Sequence, residues 1–311
     1  MNIIITGCLG HIGSYFVKKL NKLDKVKKVY LIDNNSNNKF TTLFNFKNNS
    51  KKIYFVYEDL TNPKKLFKIK NINILIHLAS ITNAENSLDK KNYYRKNNLG
   101  CFNNILKYCI SNNTKLIHIS STSVYGDQAK VVDENSKFLK PQSPYAEIKL
   151  KEERILKKNT KKIKFVTLRF GTIAGVSPGM RFHTAVNKFC LKTILNEKIP
   201  VWKTALNQYR PYLSLSDSFK TFKFILENDF FKNDTFNVLS ENKTVKDILN
   251  IIKKLGYQPD VKLTESKIMN QLSYKVQKLK IEKYGLKLNS KIKKDISNTL
   301  KIFEGVKNVK F

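Results

Sequence analysis

The fold is decided by the stretch NIIITGCLGHIG, residues 2–13. Its β-branched run, residues 2–6, is typical of a strand that is buried on both faces of a parallel sheet. Three glycines follow with the spacing G-x-x-G-x-x-G. Gly7 permits a tight turn, Gly10 lets the backbone approach a pyrophosphate, and Gly13 lets the next helix pack closely on the strand. A strand, a glycine-rich turn and a helix in this order predict a dinucleotide site, with the helix N-terminus facing the phosphates.

Short apolar runs alternate with helical patterns through the first 170 residues. This alternation predicts an α/β fold, with a Rossmann doubly wound parallel sheet over residues 1–170. The predicted strands are 2–6, 28–32, 53–57, 73–78, 115–120 and 163–168, and the predicted helices are 11–22, 62–69, 88–111 and 145–158.

The alternation ends near residue 170. Residues 171–311 are expected to form a smaller mixed α/β lobe, with some crossing of the chain between the two lobes. Ligands usually bind in the cleft between such lobes. The predicted helices of this part are 181–196, 216–227, 244–255 and 291–303, and its short strands are 200–202, 212–214 and 235–238.

Lysine dominates the charge of this chain. The 58 Lys and Arg residues against 24 Asp and Glu give a net charge of +34, and only five of the basic residues are arginines. The lysines are scattered and do not form one stripe, so compositional bias explains them better than a nucleic-acid interface does. We therefore expect no nucleic-acid partner. The positive charge still favours an anionic substrate through long-range steering.

Several other features limit the class of protein. No apolar run approaches the roughly 20 residues that a membrane span needs. The first residues carry no signal-peptide pattern, so a cytoplasmic location without membrane contact is expected. The four cysteines lie far apart and form no C-x-x-C pair, so neither a disulfide scaffold nor a metal site is predicted.

Asp33 indicates which dinucleotide binds. It ends the second predicted strand about 20 residues after the glycines, where a carboxylate accepts hydrogen bonds from the ribose hydroxyls of NAD and repels the 2′-phosphate of NADP. No arginine lies near it in the sequence to bind that phosphate. NAD is therefore the expected cofactor. Asp59, after the third predicted strand, suits either the adenine edge or the N-cap of helix 62–69.

A serine-rich strand end and a Tyr-x-x-x-Lys pair predict the chemistry. Ser121 lies where the fifth predicted strand ends, and Tyr145 and Lys149 share one face of a predicted helix. A lysine ammonium beside a tyrosine favours the phenolate. The pair is then a general acid–base that removes a proton from an alcohol while a hydride leaves the same carbon. Ser121 is expected to hold the reacting oxygen by a hydrogen bond.

These motifs resemble those of the extended short-chain dehydrogenase/reductase family, in its NAD-dependent nucleotide-sugar epimerase, dehydratase and dehydrogenase branch. The resemblance covers nearly the whole chain through TGxxGxxG (6–13), HLA (77–79), NxxG (97–100), SSxxVYG (120–126), PxxPYxxxK (141–149) and RPY (210–212). It implies a nucleotide-sugar substrate and the catalytic residues Ser121, Tyr145 and Lys149. The cofactor-binding residues that it implies are Gly7, Gly10, His11, Ile12, Gly13, Asp33, Asn34, Asp59, Leu60, Leu78, Ala79, Asn97, Tyr145, Lys149 and Phe170. The substrate-binding residues that it implies are Thr82, Thr122, Thr172, Arg181, Trp202 and Arg210.

Arginine usage agrees with this assignment. Arg181 and Arg210 lie in C-terminal segments of a chain that otherwise uses lysine. The planar arginine fork binds phosphate through two hydrogen bonds, whereas lysine is a point charge. Arg169 is expected to form a structural ion pair instead. Trp202 is expected either to form a wall for the base or sugar or to be a core aromatic.

The reaction is narrowed by the residues after Ser121. A 4,6-dehydratase of this family carries an Asp-Glu pair there, whereas this chain has Thr122 and Ser123. A 3,5-epimerase needs a further acid–base pair, and His183 is the only histidine in a predicted substrate segment. A 4-dehydrogenase that releases the ketone, a 4-epimerase and a 4-keto-sugar reductase remain open.

Thr172 stands where epimerases of the family have asparagine, which favours an unusual sugar. The specific expectation is a 4-dehydrogenase of a GDP-heptose-like sugar that serves bacterial capsule or lipopolysaccharide synthesis. A non-catalytic NAD-sensing or RNA-associated protein is the remote alternative.

The resemblance also implies a homodimer in which helix 88–111 and the helix that carries Tyr145 and Lys149 pack against their copies. Helix 88–111 has apolar residues on more than one face, as an interface helix does. A helix that is buried only against its own sheet is the alternative.

Overall fold

The structure, a computed structural model, describes residues 1–46, 51–84, 86–265 and 273–306. Its strands, numbered along the chain, are β1 (Asn2–Thr6), β2 (Lys28–Asp33), β3 (Lys52–Tyr57), β4 (Ile74–His77), β5 (Lys115–Ser121), β6 (Phe165–Phe170), β7 (Thr172–Ala174), β8 (Ile199–Trp202), β9 (Tyr209–Ser214), β10 (Asp234–Val238), β11 (Glu241–Thr244) and β12 (Val261–Thr264). Its α-helices are α1 (His11–Val17), α2 (Lys91–Ser111), α3 (Pro144–Lys158), α4 (Ala185–Ile194), α5 (Leu215–Asn228), α6 (Val245–Lys254), α7 (Leu279–Glu282) and α8 (Ile292–Lys301).

Seven of the strands form one parallel sheet in the order β10-β6-β5-β4-β1-β2-β3. From β1 the chain runs to β2 and β3 on one side, and then to β4, β5 and β6 on the other. The order therefore reverses at β1, where a crevice opens at the carboxyl ends of the strands. The predicted Rossmann doubly wound sheet is confirmed. The smaller sheets are β11-β9-β7 and β12-β8.

The C-terminal part of the chain contributes the last strand of the main sheet. β10 pairs in parallel with β6, with Phe236 opposite Leu168. The preceding helix, α5, packs on α1 through Phe222 and Phe16, whose ring centroids are 5.2 Å apart. The chain therefore crosses back to the nucleotide-binding half over residues 215–238. A separate core forms between α4, α6, α8 and β8.

The predicted helix 62–69 is wrong, because the segment contains only a short 3₁₀ turn at Leu66–Lys68. The Glu58 carboxylate accepts hydrogen bonds from the backbone N–H groups of Lys64, Lys65 and Leu66. This side-chain bonding replaces the helical bonds of the segment. α1 ends at Val17, earlier than predicted, and a 3₁₀ turn follows it. β7, β11 and β12 were not predicted, since three or four residues give no periodic signal.

Helix α2 buries most of its apolar residues inside the chain, whereas Tyr93 is 59% exposed. Phe102, Ile105, Tyr108 and Cys109 belong to the core between this helix and the sheet. The exposed positions of α2 include Asn92, Arg95, Lys96, Asn103 and Lys107. Contacts within one chain thus account for the apolar pattern behind the dimer prediction, and the homodimer remains a prediction. Among helices in the described ranges, none is both long and apolar enough to cross a membrane.

Replacing Phe222 with Ala tests whether α5 and α1 fold as one unit. The side chain is 0% exposed and contacts Phe16. We therefore expect the free energy of unfolding to fall by about 3–5 kcal/mol, measured by circular dichroism in urea. The matched control Phe138→Ala, at a side chain that is 75% exposed, should change it by less than about 0.5 kcal/mol. Equal effects of the two substitutions would contradict the shared core.

Candidate active site

One cavity at the carboxyl ends of the parallel strands contains the candidate site. Its volume is about 1240 Å³. Pockets for a single small molecule measure roughly 300–1,000 Å³, so this cavity has room for a dinucleotide and a second ligand. Every residue that the sequence analysis assigned to cofactor, substrate or catalysis lines it. The structure therefore brings residues that are separated by up to two hundred positions in the sequence (Gly7 to Arg210) into one site.

The glycines after β1 are required by close backbone contacts. Gly7 has a positive φ of 66°, and a Cβ on it would lie 2.5 Å from the backbone nitrogen of Ala79. A Cβ on Gly13 would lie 2.3 Å from the carbonyl oxygen of Gly7. Neither position has space for a side chain, so the loop presents bare backbone to the cavity. This geometry fits the pyrophosphate of a dinucleotide.

The segment after β7 covers the glycine-rich loop. The Gly179 N–H donates to Ser14 Oγ at 2.8 Å, and Ser177 Oγ donates to the carbonyl oxygen of His11 at 2.9 Å. A Cβ on Gly179 would lie 2.2 Å from the carbonyl oxygen of Leu9. Sequence reasoning missed this role of Gly179. Its only signal was the preceding proline, which is typical of a turn.

His11 anchors the loop as a neutral side chain. Its Nε2 lies 2.8 Å from the carbonyl oxygen of Gly175. Because a carbonyl only accepts, Nε2 carries the proton. Burial, together with the nearby charge of Arg181, lowers the pKa of His11 to about 3. The imidazole therefore stays uncharged and holds the glycine-rich loop against the C-terminal part of the chain.

Asp33 places its carboxylate between β2 and the glycine-rich loop. One oxygen accepts from the Leu9 N–H at 3.0 Å, and the other accepts from the Asn35 N–H at 2.8 Å. Burial raises the pKa of Asp33, and these backbone hydrogen bonds offset part of the increase. Each oxygen keeps a second lone pair. The carboxylate can therefore still accept hydrogen bonds from ribose hydroxyls, and the ribose contact of Asp33 remains a prediction.

Asp59 lines the cavity but does not cap a helix. Its Oδ1 accepts from the Thr61 N–H at 2.8 Å, which closes a local turn. The predicted alternative, an N-cap for helix 62–69, is wrong because the neighbouring Glu58 caps the short 3₁₀ turn instead. A position on the wall of the cofactor half fits the adenine contact.

Two elements bring Ser121 and Tyr145 to the cavity. Ser121 is the last residue of β5, and its Oγ accepts from the N–H of Ser123 at 3.2 Å and from its hydroxyl at 2.9 Å. Tyr145 lies in the first turn of α3, which begins with Pro144 after the capping residue Ser143. A serine N-cap followed by proline is a strong helix start, so it fixes where the tyrosine enters the cavity.

Lys149 lies one turn further along α3, with a side chain that is only 4% exposed. Its Nζ donates to Glu152 Oε2 at 2.8 Å. Burial lowers the pKa of Lys149, but the charges of Glu152 and Tyr145 outweigh burial and leave the pKa above its ordinary value. Lys149 is therefore a charged group on the cavity wall near Tyr145.

The predicted substrate residues also line this cavity. Arg181 Nη1 contacts Thr82 Oγ1, so these two residues form one group. Arg210 on β9, Trp202 at the end of β8 and Thr172 on β7 line the same cavity. Trp202 is half-buried. It is therefore part of the cavity wall and not a core aromatic.

Hydrogen bonds within the chain hold two further side chains, Thr122 and Arg169, in place. Thr122 Oγ1 donates to the carbonyl oxygen of Phe170 at 3.3 Å and lies 3.4 Å from the hydroxyl of Tyr274. Tyr274 lines the cavity, and no motif in the sequence signalled it. Arg169 forms two hydrogen bonds with the Glu153 carboxylate, at 3.0 and 2.7 Å. The predicted structural ion pair of Arg169 is confirmed.

A protein-family model described as the NAD dependent epimerase/dehydratase family matches residues 3–238. The chain belongs to this family. The match extends from β1 to the end of β10, so it includes the whole seven-stranded sheet.

Some relatives within the family are named as epimerases and others as 4,6-dehydratases. An uncharacterised UDP-glucose epimerase of Bacillus subtilis, YtcB, is 27% identical over 266 residues, which are 82% of this chain and 82% of that protein. A UDP-N-acetylglucosamine 4-epimerase from Methanobrevibacter ruminantium, solved in complex with UDP-N-acetylmuramic acid, is 26% identical with a TM-score of 0.85 and covers 97% of both chains. At 20% identity, a UDP-glucose 4-epimerase of Thermus thermophilus in complex with NAD shares the fold, with a TM-score of 0.86 over 98% of this chain and 99% of that chain. The matches to two further relatives, a trifunctional UDP-glucose 4,6-dehydratase of Arabidopsis thaliana and a UDP-glucose 4-epimerase of Yersinia enterocolitica, span 44% and 48% of their length, and the second covers only 50% of this chain.

Replacing Gly179 with Ala tests the backbone contact that covers the loop of this family member. The added Cβ would lie 2.2 Å from the carbonyl oxygen of Leu9, so the covering segment must move away. We expect the dissociation constant of NAD, measured by titration calorimetry, to rise at least about tenfold, equivalent to about 1.4 kcal/mol. The control Gly100→Ala has nothing within 4 Å of its added Cβ and lies in α2. Equal NAD affinity for both variants would contradict the role of Gly179.

Proposed function

We propose that this protein is an NAD-dependent nucleotide-sugar 4-epimerase. The observation that carries the proposal is a link across the cofactor half of the cavity. Lys39 Nζ donates to the carbonyl oxygens of Gly179 and Met180, at 3.0 and 2.5 Å. Lys39 belongs to the loop after Asp33, and Gly179 covers the glycine-rich loop. The link therefore joins the wall of the ribose site to the cover of the pyrophosphate site.

Such a link favours a reaction that leaves the cofactor unchanged. A dehydrogenase that releases a ketone must exchange its reduced cofactor after each turnover, so both walls must separate each time. An epimerase oxidises and then reduces the same carbon, so its cofactor can stay bound. Several relatives that match most of the chain are named as epimerases, although others are named as 4,6-dehydratases.

The three residues at the centre of the cavity have distinct roles in this reaction. Tyr145 removes the proton from the C4 hydroxyl of the sugar and returns it after the sugar has turned. Lys149 favours the phenolate through its charge. Ser121 Oγ accepts both hydrogen bonds from Ser123, so its own hydrogen is free to bond the reacting oxygen. NAD, when bound, supplies the acceptor and donor of the hydride.

The substrate end supports a nucleotide diphosphate. Arg210 and Lys188 line the cavity, and the described residues provide no carboxylate partner for either side chain. Arg181 adds a third cation beside Thr82. A diphosphate offers the anionic oxygens that such groups bind, and Trp202 provides an aromatic wall for a base or sugar. Burial and the charge of Arg181 lower the pKa of His183, also in this wall, to about 4.

The second candidate is the 4-dehydrogenase of a GDP-heptose-like sugar expected from the sequence. Thr172 supports the unusual sugar of this candidate, because the residue lines the cavity where epimerases of the family carry asparagine. A 4-keto-sugar reductase would use the same residues in the reverse direction. The epimerase and the dehydrogenase differ in the product that they form and in whether reduced cofactor accumulates.

Incubation of the protein and NAD with UDP-, dTDP- and GDP-linked hexoses and heptoses distinguishes them. An epimerase converts one sugar to an isomer of unchanged mass, resolved by chromatography, without accumulation of reduced cofactor. A product lighter by two hydrogens would instead identify the dehydrogenase. We expect Tyr145→Phe to lower the rate by about 10²–10⁴-fold, because it removes the general acid–base. The control Tyr57→Phe removes a hydroxyl of the same kind from a side chain that is 57% exposed on β3. It should leave the rate unchanged.

Lys39→Ala tests cofactor retention separately from activity. A hydrogen bond to a charged group contributes about 1.5–3 kcal/mol. We therefore expect NAD to dissociate at least about tenfold faster, measured as the NAD that remains with the protein after gel filtration. The control Lys18→Ala removes a lysine that donates to the carbonyl oxygen of Phe44, away from the cavity. Unchanged retention in Lys39→Ala would remove the main support for the epimerase.

A further inference from the structure

A buried acid–base cluster lies behind the Tyr-x-x-x-Lys pair. Glu152 Oε2 accepts from Lys149 Nζ at 2.8 Å and lies 2.9 Å from His118 Nε2. The side chains of Lys149, Glu152 and His118 are 4%, 1% and 0% exposed. The second oxygen of Glu152 has no hydrogen-bond partner within the described part of the chain. The carboxylate is therefore directed at the lysine and the histidine.

An ammonium this deeply buried needs a nearby anion to stay charged. Burial alone can lower the pKa of a lysine by about 3–5 units. Here the charge of Glu152 is the largest effect that opposes burial, and the pKa of Lys149 lies above its ordinary value. The proposed role of Lys149 depends on its positive charge. That charge depends in turn on Glu152.

Two groups that face Lys149 from other elements, His77 and Cys101, are neutral near pH 7. Burial lowers the pKa of His77, on β4, to about 3. Burial raises the pKa of Cys101, on α2, to about 12. His118 faces the cluster from β5, and Tyr145 faces it from α3. Within the described ranges, Glu152 is thus the one carboxylate paired with Lys149.

The adjacent Glu153 serves a different cation. Its carboxylate binds the guanidinium of Arg169 and accepts from the hydroxyl of Ser120 at 2.5 Å. Both glutamates are buried on α3, and each pairs with one cation. Glu153 is therefore a matched control for the removal of a buried carboxylate from this helix.

We propose that Glu152 is a positioning residue that keeps Lys149 charged and fixes the direction of its ammonium. His118, bonded to the same oxygen, holds the carboxylate in place from β5. The proposal rests on the proposed catalytic role of Lys149 for its effect on the reaction. The ion pair itself can be tested without any substrate.

Trace acetylation of the whole protein with acetic anhydride measures this charge. The acetylation of Lys149 is followed by peptide mass spectrometry from about pH 7 to about pH 12, a range that includes the ordinary lysine pKa of about 10.4. In Glu152→Gln we expect the midpoint of Lys149 acetylation to fall by at least about one pH unit, because burial is no longer opposed. In Glu153→Gln the midpoint should not move. An unchanged midpoint in Glu152→Gln, or an equal fall in both variants, would overturn the proposal.

Activity provides the second measurement. As the pH rises, Glu152→Gln should lose activity at least about one pH unit earlier than the wild type, because Lys149 loses its charge sooner. Glu152→Asp keeps the carboxylate and should restore part of this difference. If Glu152→Gln does not fold, Glu152→Asp takes its place in the experiment. We then expect a smaller shift of the pH at which activity is lost, in the same direction. A wild-type protein inactive on every nucleotide sugar would refute the proposed function, whereas the acetylation result would still decide the role of Glu152.

Discussion

Backbone packed directly against backbone at the end of β1 is the constraint on which the rest of the molecule depends. Gly7 and Gly13 leave no space for side chains between the first turn, the first helix and the loop after β4. Gly179 extends the same contact to a segment from the C-terminal part of the chain. Because bare backbone cannot adjust as a side chain does, these pieces have one arrangement. The cavity is the space that this arrangement leaves open beside β1.

Two buried carboxylates on helix α3 form two separate ion pairs. Its consecutive glutamates point to different cations, Glu152 to Lys149 and Glu153 to Arg169. A buried ion pair is weak evidence for stability, because removing two charges from water costs about as much as their attraction returns. The two ion pairs are better explained by the positions in which they hold Lys149 and Arg169. One directs an ammonium to the cavity, and the other fixes the end of β6 against α3. The scattered surface lysines behind the net charge of +34 play no part in this.

The sequence predicted what is local and missed what depends on distant contacts. The glycine spacing, Asp33, and the Tyr145–Lys149 spacing are local patterns, and all of these residues line the cavity. Helix 62–69 failed because a single carboxylate, Glu58, captured the backbone donors that a helix would use. The run 235–238 was recognised as a strand, but its place beside β6 depends on pairing across the fold. The Lys39–Gly179 contact joins residues 140 positions apart, and no spacing rule signals it.

The cofactor and substrate halves of the cavity differ in how the chain holds them. Contacts between the N-terminal and C-terminal parts, through His11, Gly179 and Lys39, close the cofactor half. The substrate half depends on side chains that line a wall, such as Arg210 and Trp202. Changes in that wall can alter which sugar binds without disturbing the glycine-rich loop or α3. Thr172 belongs to this wall, so its departure from the family pattern bears on the sugar and not on the capacity to move a hydride. In the proposed function, this separation would allow the sugar to change while Ser121, Tyr145 and Lys149 keep their places.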